Sequence, residues 1–328
     1  MKLSQLGERN IIEVFAEIFG DCAAVEVGIG DDAAVIRAGE ALIVVSTDII
    51  RETTHIPREM TPEQAGSYAV NVNLSDLAAM GAKPLAMLFS FGLPGDRDES
   101  YVRRLARGIK HACDAHEVCV IGGDTKEHSE VVISGFALGV ARAGGYLTRR
   151  GAKAGDLLCV TGSIGAAAAG FYCLTRDIEH PNREDFLRAA LEPRARVKEG
   201  LVLAGRASAC IDVSDGLAWS LHELARKSGV GFEVYEERLP CPEGVKEVAA
   251  LAGVDEREVV FHKGGDFELL FTVSEEMLPE LQEEFKKRSL APVTQIGRII
   301  EKGSWLITGE GKRVKLPARG YEAFKGGF

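Results

Sequence analysis

"VGIGDDAAVI", residues 27–36, places two aspartates behind a glycine turn and ahead of a short apolar run. The stretch matches the dinucleotide fingerprint GxGxxA, in which the N-terminus of an adjoining helix holds a pyrophosphate. The residues from Ala33 onward read "AAVIRAGEALIVV", whose two apolar runs around Gly39 predict a β-hairpin and no helix. Asp31 and Asp32 would also repel phosphate oxygens at contact distance. The stretch therefore excludes a Rossmann site and predicts a metal ion between aspartates and phosphate.

The residues after the hairpin predict a buried helix with clear ends. Thr61 suits the N-cap, Pro62 the first turn, and Gln64 completes a capping box. Gly81 is placed to end the helix. Beyond it, the strand-like "PLAMLFSFGLP" and "VCVIGGDT" flank the helical "DESYVRRLARGIKHACDAH".

Strand and helix patterns continue to alternate through the second half of the chain. The glycine-rich, basic stretch "ARAGGYLTRRGAKAGD" indicates a domain boundary near residue 148. The fold class predicted from this pattern is α/β or α+β, with two domains over residues 1–148 and 149–328. Each half contains a GGD triplet, which weakly suggests related domains.

Composition limits the kinds of partner that the protein could bind and the cellular compartment in which it could lie. Hydrophobic residues make up 46% of the 328 residues, and the formal net charge of -10 argues against a general nucleic-acid surface. The seven cysteines never form CxxC, so we expect no zinc site and no disulfide framework, and we predict a cytoplasmic protein. The start "MKLSQLGERNIIEVFAEIF" predicts an amphipathic helix and no signal peptide, and no apolar run is long enough to span a membrane.

Aspartates recur where apolar strands end. Asp48, Asp124 and Asp212 each follow a strand-like run, Asp31 lies in the glycine turn, and Asp76 interrupts an apolar helix pattern. A carboxylate at such a position is costly to desolvate unless a cation accompanies it. Each one alone is explained as well by a turn or a helix cap, but the repeated flanking glycines favour a ligand site. Oxygen ligands of this kind predict Mg²⁺, and the usual phosphate loop GxxxxGK[ST] is absent from the sequence.

A set of ordered motifs over essentially the whole chain resembles the thiamine-monophosphate kinases. They are "GIGDDAAVI", "STDIIRETTHI", "AVNVNLSDLAAMGAKPLA", "GGDT", "LTRRGAKAGD", "VTGSIGAAAAG", "CIDVSDGL", "GGDFELLF" and "GYEAF". The resemblance implies the PurM-like fold of the aminoimidazole ribonucleotide synthetase superfamily. It further implies an N-terminal domain for metal and ATP binding and dimerisation, whose sheet forms a barrel across a homodimer. The C-terminal domain would add ATP and substrate contacts.

The resemblance also implies a role for each site residue. The positions that match magnesium ligands are Asp31, Ser46, Thr47, Asp48, Asp76, Asp124, Asp212 and Asp215. Those that match ATP contacts are Gly123, Asp124, Arg149 and Ser214. Those that match thiamine phosphate contacts are His55, Glu268 and an aromatic residue, with Tyr321 favoured over Phe324. Without the resemblance, His55 would be a surface or capping histidine, Arg149 a solvated arginine, and Glu268 an exposed residue of a strand.

The activity implied is transfer of a phosphoryl group from ATP to thiamine monophosphate, giving thiamine diphosphate. Several Mg²⁺ ions would offset the charge of both anionic substrates, and transfer would be direct and in-line, with no phosphoenzyme and no general base. The alternatives are another ATP-using PurM-like enzyme, of the aminoimidazole ribonucleotide synthetase or selenophosphate synthetase type, and a non-catalytic nucleotide-binding relative. Cys22 lacks the glycine-rich setting expected of the selenophosphate enzyme.

Overall fold

The computed structural model describes residues 2–20, 22–142 and 144–325, and a six-stranded sheet forms the first half of that chain. Its order is β1-β2-β3-β6-β4-β5, with strands β1 (Val25–Val27), β2 (Ala34–Ala38), β3 (Ala41–Arg51), β4 (Lys83–Leu93), β5 (Cys119–Glu127) and β6 (Val132–Ala141). The predicted hairpin is confirmed, since β2 pairs antiparallel with β3 from Ala34↔Val45 to Ala38↔Ala41. All nine residues of β5, at one edge, are exposed.

Four helices accompany this sheet: α1 (Leu3–Leu6), α2 (Glu8–Phe19), α3 (Pro62–Ala79) and α4 (Glu99–Ala115). The predicted helix α3 begins as expected, because the backbone N–H of Gln64 donates to Thr61 Oγ1 and the Gln64 side chain completes the capping box. It ends before Gly81, whose φ of 63° lies in the left-handed region. Helix α3 is buried along most of its length and contacts β3 and β6 of this sheet as well as Val197–Leu203 and Ala209–Asp212 of the second half.

A seven-stranded, mostly antiparallel sheet forms the second half, in the order β13-β12-β9-β11-β7-β10-β8. Its strands are β7 (Leu157–Thr161), β8 (Ala209–Asp212), β9 (Gly231–Tyr235), β10 (Leu269–Val273), β11 (Val293–Ile300), β12 (Ser304–Ile307) and β13 (Arg313–Lys315). Its helices are α5 (Ala166–Thr175), α6 (Arg183–Leu191), α7 (Val197–Leu203), α8 (Leu217–Ser228), α9 (Val245–Leu251) and α10 (Leu278–Lys287), with a 3-10 turn at Glu236–Arg238 and a π turn at Glu258–His262.

The two GGD triplets have different structural uses. Asp124 of the first lies on the exposed strand β5. Asp266 of the second accepts the backbone N–H groups of Gly165 (2.9 Å) and Ala167 (3.1 Å) and so caps helix α5. Burial raises the pKa of Asp266 to about 7. The two aspartates therefore have different local roles, and the relatedness of the two domains stays a prediction.

The mixed α/β class is confirmed, but the expected barrel is not seen. Within residues 2–20, 22–142 and 144–325, neither sheet closes on itself. Closure across two chains stays a prediction, as do the exact domain limits. No helix in this described part has both the length and the apolar character that crossing a membrane requires.

Candidate functional site

Three carboxylates from distant parts of the chain meet where the two halves join. Oxygens of Asp32, Asp76 and Asp212 all lie within 4.8 Å of one another. Asp32 follows the glycine turn before β2, Asp76 lies in α3, and Asp212 ends β8. Since α3 contacts both β3 and β8, this central helix is the element that brings the three together.

Serine hydroxyls hold two of these carboxylates in place. Asp212 accepts one hydrogen bond on each oxygen, from Ser75 Oγ (2.7 Å) and from Ser214 Oγ (3.0 Å). Asp76 accepts a short hydrogen bond from Ser46 Oγ. The carboxylate positions are thus fixed by the fold before any ligand arrives, which limits the reorganisation that binding requires.

The cluster carries more negative charge than its surroundings compensate. Burial, followed by the charge of Asp32, raises the pKa of Asp212 to about 7. Burial, followed by Asp48 and Asp212, raises the pKa of Asp76 well above its ordinary value. Burial likewise raises the pKa of Asp48 to about 6 and that of Asp215 to about 7. Perturbed carboxylates gathered at one place are typical of a functional site.

Arg149 is the main basic partner of the cluster. Its Nη2 lies 2.7 Å from Asp32 Oδ1, and its backbone N–H donates to Asp31 Oδ1 at 3.1 Å. Burial and the neighbouring Asp32 raise the pKa of Asp31 to about 6 even so. Arg149 is largely buried whereas Arg150 is exposed, so the solvated alternative fits Arg150 only.

Two buried polar atoms in this cluster, Asp32 Oδ2 and Arg149 Nε, have no hydrogen-bond partner among the residues that the structure describes. The Asp32 side chain is 1% exposed, so water does not satisfy it from outside. Of the three converging carboxylates Arg149 pairs directly with Asp32, which leaves a surplus of negative charge and an unused ligand oxygen. These residues fit a divalent cation with oxygen ligands, and Mg²⁺ is the cation of that class that binds together with phosphate.

The other predicted ligands of strand β3 lie beside the cluster. The Asp48 side chain hydrogen-bonds with that of Asp76, and its backbone N–H donates to Asn73 Oδ1 at 3.0 Å. Thr47 is on the exposed face of the strand, with its hydroxyl donating to the carbonyl of Gly135 at 2.7 Å. Asp48 is thus within reach of the same ion as Asp76, while Thr47 points its hydroxyl to the sheet.

Asp124 and Gly123 do not join the cluster within one chain. Strands β6 and β4 separate β5 from β3. The backbone at Asp124 therefore lies three strand spacings across the sheet, roughly 14 Å, from the backbone of β3 near Asp48. Asp124 is exposed and its Oδ1 lies 3.4 Å from Lys126 Nζ. Gly123 has a packing reason of its own, because a Cβ there would lie 1.9 Å from the carbonyl oxygen of Phe89.

Tyr321 and Phe324, the two candidates for the aromatic contact with substrate, lie in different surroundings. The rings of His55 and Tyr321 face each other edge to face, with centroids 6.5 Å apart, although they are far apart in sequence. His55 is half-buried, and burial lowers its pKa, so the neutral imidazole is favoured. Phe324 is 53% exposed at the end of the described tail. Tyr321 therefore lies beside His55, and its contact with substrate stays a prediction.

Glu268 is buried in an ion pair and is not exposed on a strand face, so that alternative is wrong. Its Oε2 lies 2.7 Å from Arg196 Nε and accepts a hydrogen bond from Thr161 Oγ1 at 2.6 Å. Both oxygens of Glu268 are engaged by Arg196. In this structure the Glu268 carboxylate is therefore fully occupied by contacts within the protein interior.

Sequence reasoning placed a metal ion beside the paired aspartates but named only Asp31 as a ligand, and it missed Ser75 and Arg9. Asp32 is the one of the two whose oxygen lies with Asp76 and Asp212. The signal was the doubled aspartate itself, which offers two carboxylates to the same site. Arg9 lies in the N-terminal helix α2, where its Nη2 is 4.0 Å from Asp215 Oδ2, and nothing in the local sequence announced that contact.

Comparison with known proteins agrees with this architecture. Residues 30–141 match the family model of the AIR synthase related protein, N-terminal domain, and residues 153–306 that of the C-terminal domain. A thiamine-monophosphate kinase of Pyrococcus horikoshii is 37% identical over 99% of this chain and 98% of its own length.

Solved structures show the same likeness. AaThiL complexed with AMPPCP and TMP has a TM-score of 0.85 and 31% identity, covering 98% of this chain and 99% of that one. Thiamine monophosphate kinase from Aquifex aeolicus has a TM-score of 0.81 and 30% identity, covering 96% and 100%. These matches, spread over both halves and nearly the full length, show that the chain is an enzyme of the thiamine-monophosphate kinase family with the two domains of AIR synthase related proteins.

Proposed function

We propose that the chain transfers the γ-phosphoryl group of ATP to thiamine monophosphate, giving thiamine diphosphate and ADP. The observation that carries this proposal is the convergence of Asp32, Asp76 and Asp212 around a buried carboxylate oxygen that has no hydrogen-bond partner. Its chemical class is supported by the family and by the relative that is complexed with AMPPCP and TMP.

The residues that would hold Mg²⁺ are the cluster carboxylates, with Asp48 beside them and Asp31 and Asp215 at the rim. Ser46 and Thr47 are further oxygen donors, and Asp124 is a ligand only if it reaches the site from a neighbouring chain. Bound there, Mg²⁺ would supply charge neutralisation between carboxylates and phosphate oxygens. We place Arg149 and Ser214 at the ATP, with Gly123 as a backbone contact, and His55 and Tyr321 at thiamine phosphate.

The chain's own groups favour direct in-line transfer. An acceptor phosphate oxygen is already ionised near neutral pH, so no side chain has to remove a proton. Burial lowers the pKa of His55, and the uncharged imidazole suits contact with a heteroaromatic ring better than base catalysis. Arg149 presents a fixed cation at the cluster edge, where a guanidinium would offset charge on a transferring phosphoryl group. Positioning and charge compensation are therefore the work assigned to these residues.

Glu268 enters the proposal with a condition. It can contact thiamine phosphate only if its pairing with Arg196 is rearranged, because both of its oxygens are engaged. A structure with both substrates bound would show whether Glu268 changes partner.

A turnover assay with purified protein tests the function. ADP and thiamine diphosphate should appear together, only when ATP, Mg²⁺ and thiamine monophosphate are all present. ATP turnover that needs formylglycinamidine ribonucleotide instead would favour the synthetase alternative. Binding of ATP with no turnover of either acceptor would favour a non-catalytic relative.

We also propose that the enzyme works as a homodimer in the cytoplasm, joined along strand β5. This strand is an open edge whose first half carries no charged side chain, and there Val120 and Ile121 are 45% and 59% exposed. Pairing there would bury these side chains and place Asp124 at an interface. Light scattering of the purified protein measures the assembly directly.

A further inference from the structure

The N-terminal helix α2 reaches across the molecule to the C-terminal tail through Arg9. Arg9 Nη2 donates to the carbonyl oxygen of Tyr321 at 3.0 Å, and Arg9 Nη1 lies 3.3 Å from Glu322 Oε2. The neighbouring Glu8 accepts the backbone N–H of Ala323 at 3.0 Å. Three consecutive tail residues are thus held by two consecutive helix residues.

The same guanidinium also contacts the site itself. It lies over the ring of Trp219 in α8, and its Nη2 is 4.0 Å from Asp215 Oδ2. The tail follows this surface closely, since the backbone N–H of Tyr321 donates to the carbonyl of Asp215 at 2.9 Å. A Cβ on Gly320 would lie 2.5 Å from that same carbonyl oxygen, so only glycine allows the approach.

Tyr321 is therefore pinned on both sides of its backbone, by Asp215 through its N–H and by Arg9 through its carbonyl. Its side chain is left facing His55 across the proposed substrate site. Arg9 is three-quarters buried in this arrangement, with its side chain 24% exposed. A buried charge with several partners restricts the geometry of those partners more than an exposed ion pair does.

We propose that Arg9 is a positioning residue for thiamine phosphate: it fixes the tail so that Tyr321 stands opposite His55. The inference rests on the proposed function for its substrate, but the contact of Arg9 with the tail stands on its own. It explains why helix α2 lies against the tail although none of its residues is fully buried. Arg149 and Asp32 pair with each other on the ATP side of the site, so ATP binding should be unaffected.

Steady-state kinetics of Arg9→Ala test this assignment. We expect the KM for thiamine monophosphate to rise about tenfold, as for loss of a hydrogen bond to a charged group, with the KM for ATP and kcat close to wild type. Arg9→Lys keeps the charge but not the fork geometry, so it should recover only part of the loss. Arg103→Ala removes an exposed arginine of α4 that pairs with Glu99, and serves as the matched control.

A double-mutant cycle separates positioning from general destabilisation. If Arg9 acts through Tyr321, then adding Arg9→Ala to Tyr321→Ala should raise the KM for thiamine monophosphate no further. Additive losses, an unchanged KM in Arg9→Ala, or an equal rise in the KM for ATP would each overturn the assignment.

A second readout does not depend on the substrate. In a Trp305→Phe background, Trp219 is the remaining tryptophan, and Arg9→Ala should increase quenching of its fluorescence by acrylamide as the guanidinium and tail leave its ring. Unchanged quenching would overturn the proposed contact. Absence of thiamine monophosphate turnover in the wild type, together with increased quenching in the variant, would instead overturn the proposed function alone.

Discussion

Replacing Asp212 by asparagine tests the central claim that repulsion and burial of the clustered carboxylates lower the stability of the metal-free fold. Asp212 is 3% exposed and ends strand β8 beside Asp32 and Asp76. Asparagine has nearly the same shape and can still hydrogen-bond with Ser75 and Ser214. The substitution therefore removes a charge and leaves the packing in place.

The magnitude comes from the pKa of this group. A rise from 3.8 to about 7 means that ionised Asp212 destabilises the metal-free fold by up to about 4 kcal/mol. The clustered carboxylates share this cost and relax when one is removed, so we expect a net gain of about 2 kcal/mol for Asp212→Asn. Without divalent metal, the variant should thus be more stable than the wild type near neutral pH.

The sign of the pH dependence is fixed by the same values. Between pH 3.8 and about 7 the folded protein keeps a proton on Asp212 that the unfolded chain has lost. Stability of the metal-free wild type relative to the variant should therefore fall as pH rises through this window, and level off above it. At about pH 4 the two proteins should unfold alike.

Urea unfolding in chelator at several pH values measures this difference, and repeating it with saturating Mg²⁺ completes the test. Ligand binding at about a hundred times its dissociation constant stabilises a fold by about 2.7 kcal/mol, so Mg²⁺ should reverse the order in favour of the wild type. Asp114→Asn, on the surface of α4, is the matched control and should change stability by less than about 0.5 kcal/mol. The reasoning is refuted if metal-free Asp212→Asn is less stable than wild type at neutral pH, or if Mg²⁺ stabilises both equally.

Three further substitutions examine other parts of the molecule. Asp124→Asn should nearly abolish turnover with the fold intact, because in the proposed dimer Asp124 of a neighbouring chain reaches the metal, where one charge matters far more than surface charge; turnover close to wild type would remove Asp124 from the site. Ile121→Glu should give monomers by light scattering, since it places a charge in the proposed β5 interface, and persisting dimers would place that interface elsewhere. Glu268→Gln should lower the free energy of unfolding, because Arg196 would lose its counter-charge; an unchanged or higher free energy on urea unfolding would show that burial of the carboxylate costs more than the ion pair returns.

Predictions from local sequence patterns were confirmed where interactions between neighbouring residues determine the structure. The capping box at Thr61 and Gln64 formed as predicted, because N-cap geometry depends on neighbouring residues alone. The hairpin around Gly39 formed as well, since its two apolar runs alternate across a short turn. The resemblance in ordered motifs indicated the family, which the comparisons confirm.

The sequence did not predict which of two adjacent aspartates lies in the cluster, or whether Glu268 is buried. Whether Asp31 or Asp32 points into the cluster depends on the direction of each side chain along a turn, which the doubled aspartate leaves open. The burial of Glu268 depends on Arg196, a partner 72 positions away in sequence. Alternation within "FELLF" could not show that partner.

The sequence alone determined most element types, the two-part organisation and the presence of aspartates of the kind that bind Mg²⁺, because these follow from periodicity, caps and residue chemistry. Only the tertiary structure decided which carboxylate oxygens converge, that Asp124 lies three strands away, and that Arg9 contacts the tail beside Asp215. The physical reason is that helix α3 and the paired termini bring together residues far apart in the chain, and such contacts are set by packing, which no local pattern encodes.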